Sequence, residues 1–134
     1  MARTRAKDYD DKRQAMLHQA ASVFARDGYD RASMAGVAAE CGVSKALLYH
    51  YYASKEALLF DIINSHLEEL IDAVDAADEP GLPAPERLER LVASLLEAYR
   101  DADAEHKLQV GAMQLLPEPD QVRLKSLERE LVTR

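Results

Sequence analysis

Apolar positions along this chain recur three and four residues apart, in runs cut by glycine, serine and proline. Leu17, Ala20, Ala21 and Phe24 share one face of a helix predicted over about 11–27, with Gly28 as its stop. A short helix follows from Met34 to about Cys41, opened by Ser33 as N-cap and burying Met34, Val37, Ala38 and Cys41. Gly42 ends it and supplies the left-handed conformation a tight turn needs. Ser44 opens a second short helix, Lys45 to about Tyr51, and Ser54 caps a long one, Lys55 to about Ala77. The long helix carries the clearest stripe of the chain: Leu58, Leu59, Ile62, Ile63, Leu67, Leu70, Ile71 and Val74. Three prolines between Glu79 and Pro85 mark a loop. Beyond it the pattern predicts helices over about 86–102 and 104–116, the latter stopped by Pro117, and one capped by Asp120 that is still running at Arg134. No alternating strand pattern and no internal repeat occurs, so the fold class is all-α.

Composition agrees. Apolar residues are 48% of the 134 and aromatic ones 6%, with no Trp, so the core is built from Ala, Leu, Val and Ile, residues that suit helices. One cysteine forms no internal disulfide, and neither a signal-peptide pattern nor an apolar run of membrane-spanning length is present. A cytoplasmic location is expected, with no membrane partner. The net charge of −7 argues against nucleic acid until its distribution is considered. Residues 1–56 hold nine Lys and Arg against seven Asp and Glu, whereas residues 57–134 hold eight against seventeen. A basic head on an acidic body suits a DNA reader joined to a separate effector domain.

The stretch from Ser33 to Lys55 sharpens that reading. Two short helices around a glycine-containing turn make a helix-turn-helix, in which the second helix enters the major groove. Here that helix reads Lys45-Ala46-Leu47-Leu48-Tyr49-His50-Tyr51, followed by Tyr52. Three tyrosines and a histidine in four positions cannot all find core partners for their polar tips, and a groove edged by phosphate offers such partners. The run from Gly42 to Leu59, with Ala20 to Tyr29 upstream, resembles the TetR family of bacterial transcription regulators over roughly residues 11–65 without gaps. The resemblance implies that Lys45, Ala46 and Leu47 meet base edges, with Lys45 donating to guanine and Leu47 touching a thymine methyl. It also implies that Tyr49 contacts phosphate with His50 and Tyr51 beside it, that Ser33 adds a phosphate contact to its cap, and that Ser44 opens the reading helix. Lys55, in the first turn of the fourth helix, is expected to grip a phosphate together with the helix-end amides. Leu48 and Tyr52 face the core. Arg3, Arg5 and Lys7 form a basic arm able to add minor-groove contacts. Gly36 stands where a polar helix former is more usual, and close helix packing is the expected reason.

By the same resemblance, residues 1–56 are a three-helix DNA-binding domain. Residues 57–134 are an incomplete helical-bundle effector and dimerisation domain, with the fourth helix as connector. The expected partners are a double-stranded DNA operator, a small-molecule effector and, for a full-length protein carrying further helices, a second copy in a homodimer. Leu67, Leu95, Leu96, Tyr99, Met113 and Leu116 are the candidate effector-pocket residues; Tyr99 is amphipathic and Met113 adaptable. The function expected is that of a ligand-responsive repressor released from its operator. The alternative is an interaction module that pairs with a full-length regulator without binding DNA itself. Catalysis is not expected. His18, His50, His66 and His106 lack metal-ligand spacing, and neither a nucleophile elbow nor a glycine-rich phosphate loop is present. No cofactor or metal is called for.

Overall fold

The computed structural model describes residues 2–133, with side chains from Asp8 onward. Its elements are α1 (Ala2–Asp27), α2 (Met34–Cys41), α3 (Lys45–Tyr51), α4 (Lys55–Ala77), α5 (Ala84–Tyr99), α6 (Asp103–Gly111), a 3₁₀ turn (Met113–Leu115) and α7 (Glu118–Thr133). Among the described residues no strand occurs, and no helix is long and apolar enough to cross a membrane.

Helix α4 is the axis of the assembly. It packs against α1, α5, α6 and α7, and Leu58, Leu59, Ile62, Ile63, Leu67 and Leu70 are almost wholly withdrawn from solvent. α1 lies across the junction, touching α2 and α4 on one side and α6 on the other. One continuous apolar cluster therefore runs from Phe24, Val37 and Leu48 through α4 to Leu124 on α7. The expected boundary between residues 56 and 57 falls inside the first turn of α4.

The short helices begin and end for local reasons. Ser33, Ser44 and Ser54 sit in extended backbone, and each hydroxyl accepts from the amide three residues on, at 3.0–3.1 Å. Gly42 adopts φ 69° and ψ 28°, so the chain leaves α2 left-handed, and the Val43 amide donates back to the Ala38 carbonyl.

Four expectations about the elements are corrected. α1 begins at Ala2 rather than near Asp11, so the backbone of the basic arm is helical; the side chains of Arg3, Arg5 and Lys7 lie outside the described residues. α6 closes at Gly111, and the three residues from Met113 tighten into a 3₁₀ turn before Pro117. α7 starts at Glu118 because Pro119 is tolerated in a first turn, which leaves Asp120 inside the helix rather than at its cap. Gly36 is exposed and packs against no other helix. A Cβ there would lie 3.2 Å from the Ser33 hydroxyl, so the glycine leaves room for the cap.

Candidate nucleic-acid interface

Helix α3 turns one face inward and one outward. Leu48 is fully buried and Tyr52, just past the helix, nearly so. Lys45, Ala46, Tyr49 and His50 lie exposed on the opposite side, at the spacing that stacks i over i+4. The Lys45 ammonium stands 6.0 Å from the centre of the Tyr49 ring, which places a cation and a phenol side by side on the outer face. Ser44 and Leu47 are exposed at the start of the helix. Ser33 is exposed at the start of α2; its oxygen accepts from the Gly36 amide, which leaves the hydroxyl proton available to an outside acceptor.

Two candidate contacts are placed differently from expectation. Tyr51 is half-buried: its ring stacks on Tyr9 of α1 with centroids 5.0 Å apart, and it packs against the core. It props α3 against α1 instead of standing beside Tyr49. Lys55 turns its ammonium inward, donating to the carbonyls of Tyr29 at 2.8 Å and Ala32 at 3.1 Å, with Asp30 at 3.5 Å, above the Tyr29 ring. Its donors serve the loop between α1 and α2, a hold on the loop carrying the Ser33 cap.

The reading helix is tied to α4 by a polar cluster that the periodicity did not reveal. Asp61 of α4 accepts from Nη2 and Nε of the Arg13 guanidinium at 3.0 and 3.1 Å and from the Tyr52 hydroxyl, while Arg13 also reaches Ser65 at 3.1 Å. Burial first, then the Asp61 carboxylate, pushes the Tyr52 phenol well above its ordinary pKa, so it remains a donor. The signal available in the sequence was an acid, Asp61, on the otherwise apolar flank of the α4 stripe.

The six expected effector residues do not converge. Leu67, Met113 and Leu116 are core, Leu95 is half-buried, and Leu96 is 68% exposed on the outer side of α5. Tyr99 packs its ring edge-on to His66 and His106, at 5.7 and 5.2 Å. A cleft of about 290 Å³ opens instead between α1, α4, α5 and α6. Its lining is mostly polar and includes none of the six. His18, His66, Glu69, Asp101 and Glu105 are among its walls.

Residues 16–62, which hold the capped turn and the outward face of α3, match the family model described as bacterial regulatory proteins of the tetR family. The match assigns residues 16–62 to the TetR family's DNA-binding domain. Among TetR-type relatives, the chain is 32% identical over 87 residues to YhgD, an HTH-type transcriptional regulator of Bacillus subtilis, covering 65% of this chain and 46% of that protein. The chain thus spans about half the length of that relative. A TetR-family regulator from Bordetella parapertussis superposes with a TM-score of 0.80 at 31% identity, over 90% of this chain and 63% of the other. AibR, solved with isovaleryl coenzyme A and operator DNA, superposes with a TM-score of 0.72 at 26% identity, over 89% and 65%.

Proposed function

We propose that this chain is the DNA-reading portion of a ligand-responsive transcriptional repressor that works as a homodimer and leaves its operator when a small molecule binds. Residues 1–56 read DNA, residues 57–134 belong to the effector body, and α4 joins them. The observation that carries the reading is the outer face of α3. Lys45, Ala46, Tyr49 and His50 are held clear of the protein while Leu48 and Tyr52 anchor the helix from behind. A helix so presented fits the ~12 Å major groove. Lys45 and Leu47 then address base edges, and Ala46 allows close approach. Tyr49, His50 and the Ser33 hydroxyl reach phosphate oxygens. The likeness to AibR, solved with both an acyl coenzyme A and operator DNA, supports pairing a DNA face with an effector site. In a dimer the two heads must lie ~34 Å apart to enter successive major grooves. A ligand that prefers any other spacing lowers operator affinity by its differential affinity for that state.

Fluorescence anisotropy with DNA from upstream of the protein's own reading frame, at physiological salt, tests the proposal. Saturable binding is expected. Lys45→Ala should change the preference at one base position by about 1–3 kcal/mol, whereas Tyr49→Phe should weaken all sequences alike. Absence of saturable binding would favour the interaction-module alternative, and a Lys45→Ala variant with unaltered base preference would remove that residue from the reading set.

A further inference from the structure

The cleft between α1, α4, α5 and α6 has a definite chemical character. Four carboxylates line it: Glu69 of α4, Glu97 of α5, Asp101 in the connection after α5, and Glu105 of α6. Among the described residues, the basic side chains in its wall are His18 and His66. Arg13 of α1 is committed to Asp61 and Asp10. Glu97 is paired with Arg100 and Glu105 with His18, and Glu69, Glu97 and Asp101 are open to solvent, so the acids of the cleft still outnumber its basic groups while only Glu105 is largely withdrawn from water. Burial, then the neighbouring Glu105, Asp72 and Asp10, pushes the Glu69 carboxyl above its ordinary pKa, as expected for acids crowded together.

Two polar atoms in the same wall lack a partner. His66 is only 3% exposed, and its Nε2 makes no hydrogen bond. Glu105 binds the His18 Nδ1 at 2.8 Å through one oxygen, while its other oxygen, also buried, has none. Buried polar atoms are ordinarily satisfied, and those left open beside a cavity mark places for a partner from outside. A protonated amine meets both needs, since it carries positive charge and up to three N–H donors. Among the described residues no three His, Cys, Asp or Glu side chains are grouped to hold a metal ion, and the cleft suits an organic cation better. Its ~290 Å³ lies at the small end of ligand sites.

We propose that this cleft is the effector site and that it takes a small organic cation, a primary amine or short diamine. The assignment of the cation as effector rests on the regulator reading above. The position suits the role. One wall, α1, belongs to the reading head, two, α5 and α6, belong to the body, and the fourth, α4, joins them. A ligand bridging them favours one placement of head against body.

The test is to titrate the protein with 1,4-diaminobutane, using 1,4-butanediol as neutral control and adipate as anionic control, and follow backbone amides by NMR. Saturable shifts confined to residues around 14–18, 62–69 and 97–105 are expected with the diamine alone. The pair Glu69→Gln and Asp101→Asn should weaken binding at least tenfold. His66→Phe, which keeps the ring packing on Tyr99, should also weaken it, and Glu89→Gln on the exposed side of α5 should not. Shifts spread over the acidic surface, or binding unchanged in the double variant, would overturn the site. Operator affinity is read in parallel. Release by the diamine that vanishes in the double variant supports the effector assignment, whereas release that persists reflects amine acting on the DNA and overturns it. Confined saturable binding in a protein that never binds DNA would instead overturn the regulator reading and leave the cation site supported.

Discussion

At the scale of single residues, the two lysines bracketing the reading helix do different work because their surroundings differ. Lys45 stands in solvent beside Tyr49, while Lys55 directs its donors at the carbonyls of the α1–α2 loop. Replacing Lys55 by Met keeps the stem and removes charge-assisted hydrogen bonds, each class of which contributes about 1.5–3 kcal/mol. Lys55→Met should therefore lower folding stability by about 2 kcal/mol. It should leave the salt dependence of DNA binding unchanged, because a residue without a phosphate contact releases no counterion. Denaturant melts and a salt series of anisotropy titrations check both halves. A slope reduced by about one would restore Lys55 to the phosphate contacts. The difference between the lysines was not readable in sequence. A lysine at a helix start looks the same whether its neighbour is a phosphate or a loop brought close by tertiary packing. Leu48 was readable as core-facing because helical phase alone decides its side; Tyr52, which also faces the core, lies past the helix in extended backbone. Tyr51 was not readable, since its stacking partner Tyr9 lies on a helix 42 residues earlier in the numbering of α1 and α3.

Among the elements, those fixed by local chemistry were legible and those fixed by their neighbours were not. Ser33, Ser44 and Ser54 stand at the caps the pattern assigned to them, because an N-cap is settled within four residues. The start of α1 was missed because its first turns carry charge and little apolar phase. The apolar residues of α5 recur at helical spacing but do not share one environment. Leu91 and Leu95 turn toward the body, while Leu88, Val92 and Leu96 face solvent. The turn joining α2 to α3 depends on Gly42, whose φ of 69° an L-residue adopts at a cost of about 1–2 kcal/mol. A Cβ there meets nothing within 4 Å, so the whole penalty is conformational. Gly42→Ala should thus lower stability by about 1–2 kcal/mol. Gly81→Ala, also in open space but without positive φ, should stay within about 0.5 kcal/mol of the parent. Urea midpoints of the two variants make the comparison, and equal midpoints would show that the left-handed turn is not needed.

Across the whole molecule, α1 joins the head to the body: the Lys107 ammonium reaches the Ala25 carbonyl, and Glu105 reaches His18. Such contacts have no sequence signature, which is why helical spacing chose effector residues that lie partly in the core and partly on the surface, while the cleft is lined by polar groups between elements. The basic and acidic halves were visible as charge counts, but their meeting place was not. His66 lies at that meeting place, and its environment makes a prediction about the entire fold. Burial, then the nearby His106, lowers its pKa from 6.5 to about 4. Between these values the unfolded chain binds a proton that the folded chain refuses, so stability rises with pH in that window. The contribution is complete above pH 6.5 and is lost as the pH falls toward 4, a change of about 3 kcal/mol at most at 1.36 kcal/mol per pKa unit. Carboxylates titrate in the lower part of the same range, so the histidine must be isolated by difference. His66→Phe retains a ring against Tyr99 and has no proton to bind, and its stability should decline less steeply than the parent's between pH 6.5 and 5. Urea denaturation of both proteins at half-unit steps measures the two slopes. Parallel curves would mean that His66 accepts its proton as readily folded as unfolded, and that the cleft wall is wetter than its packing implies.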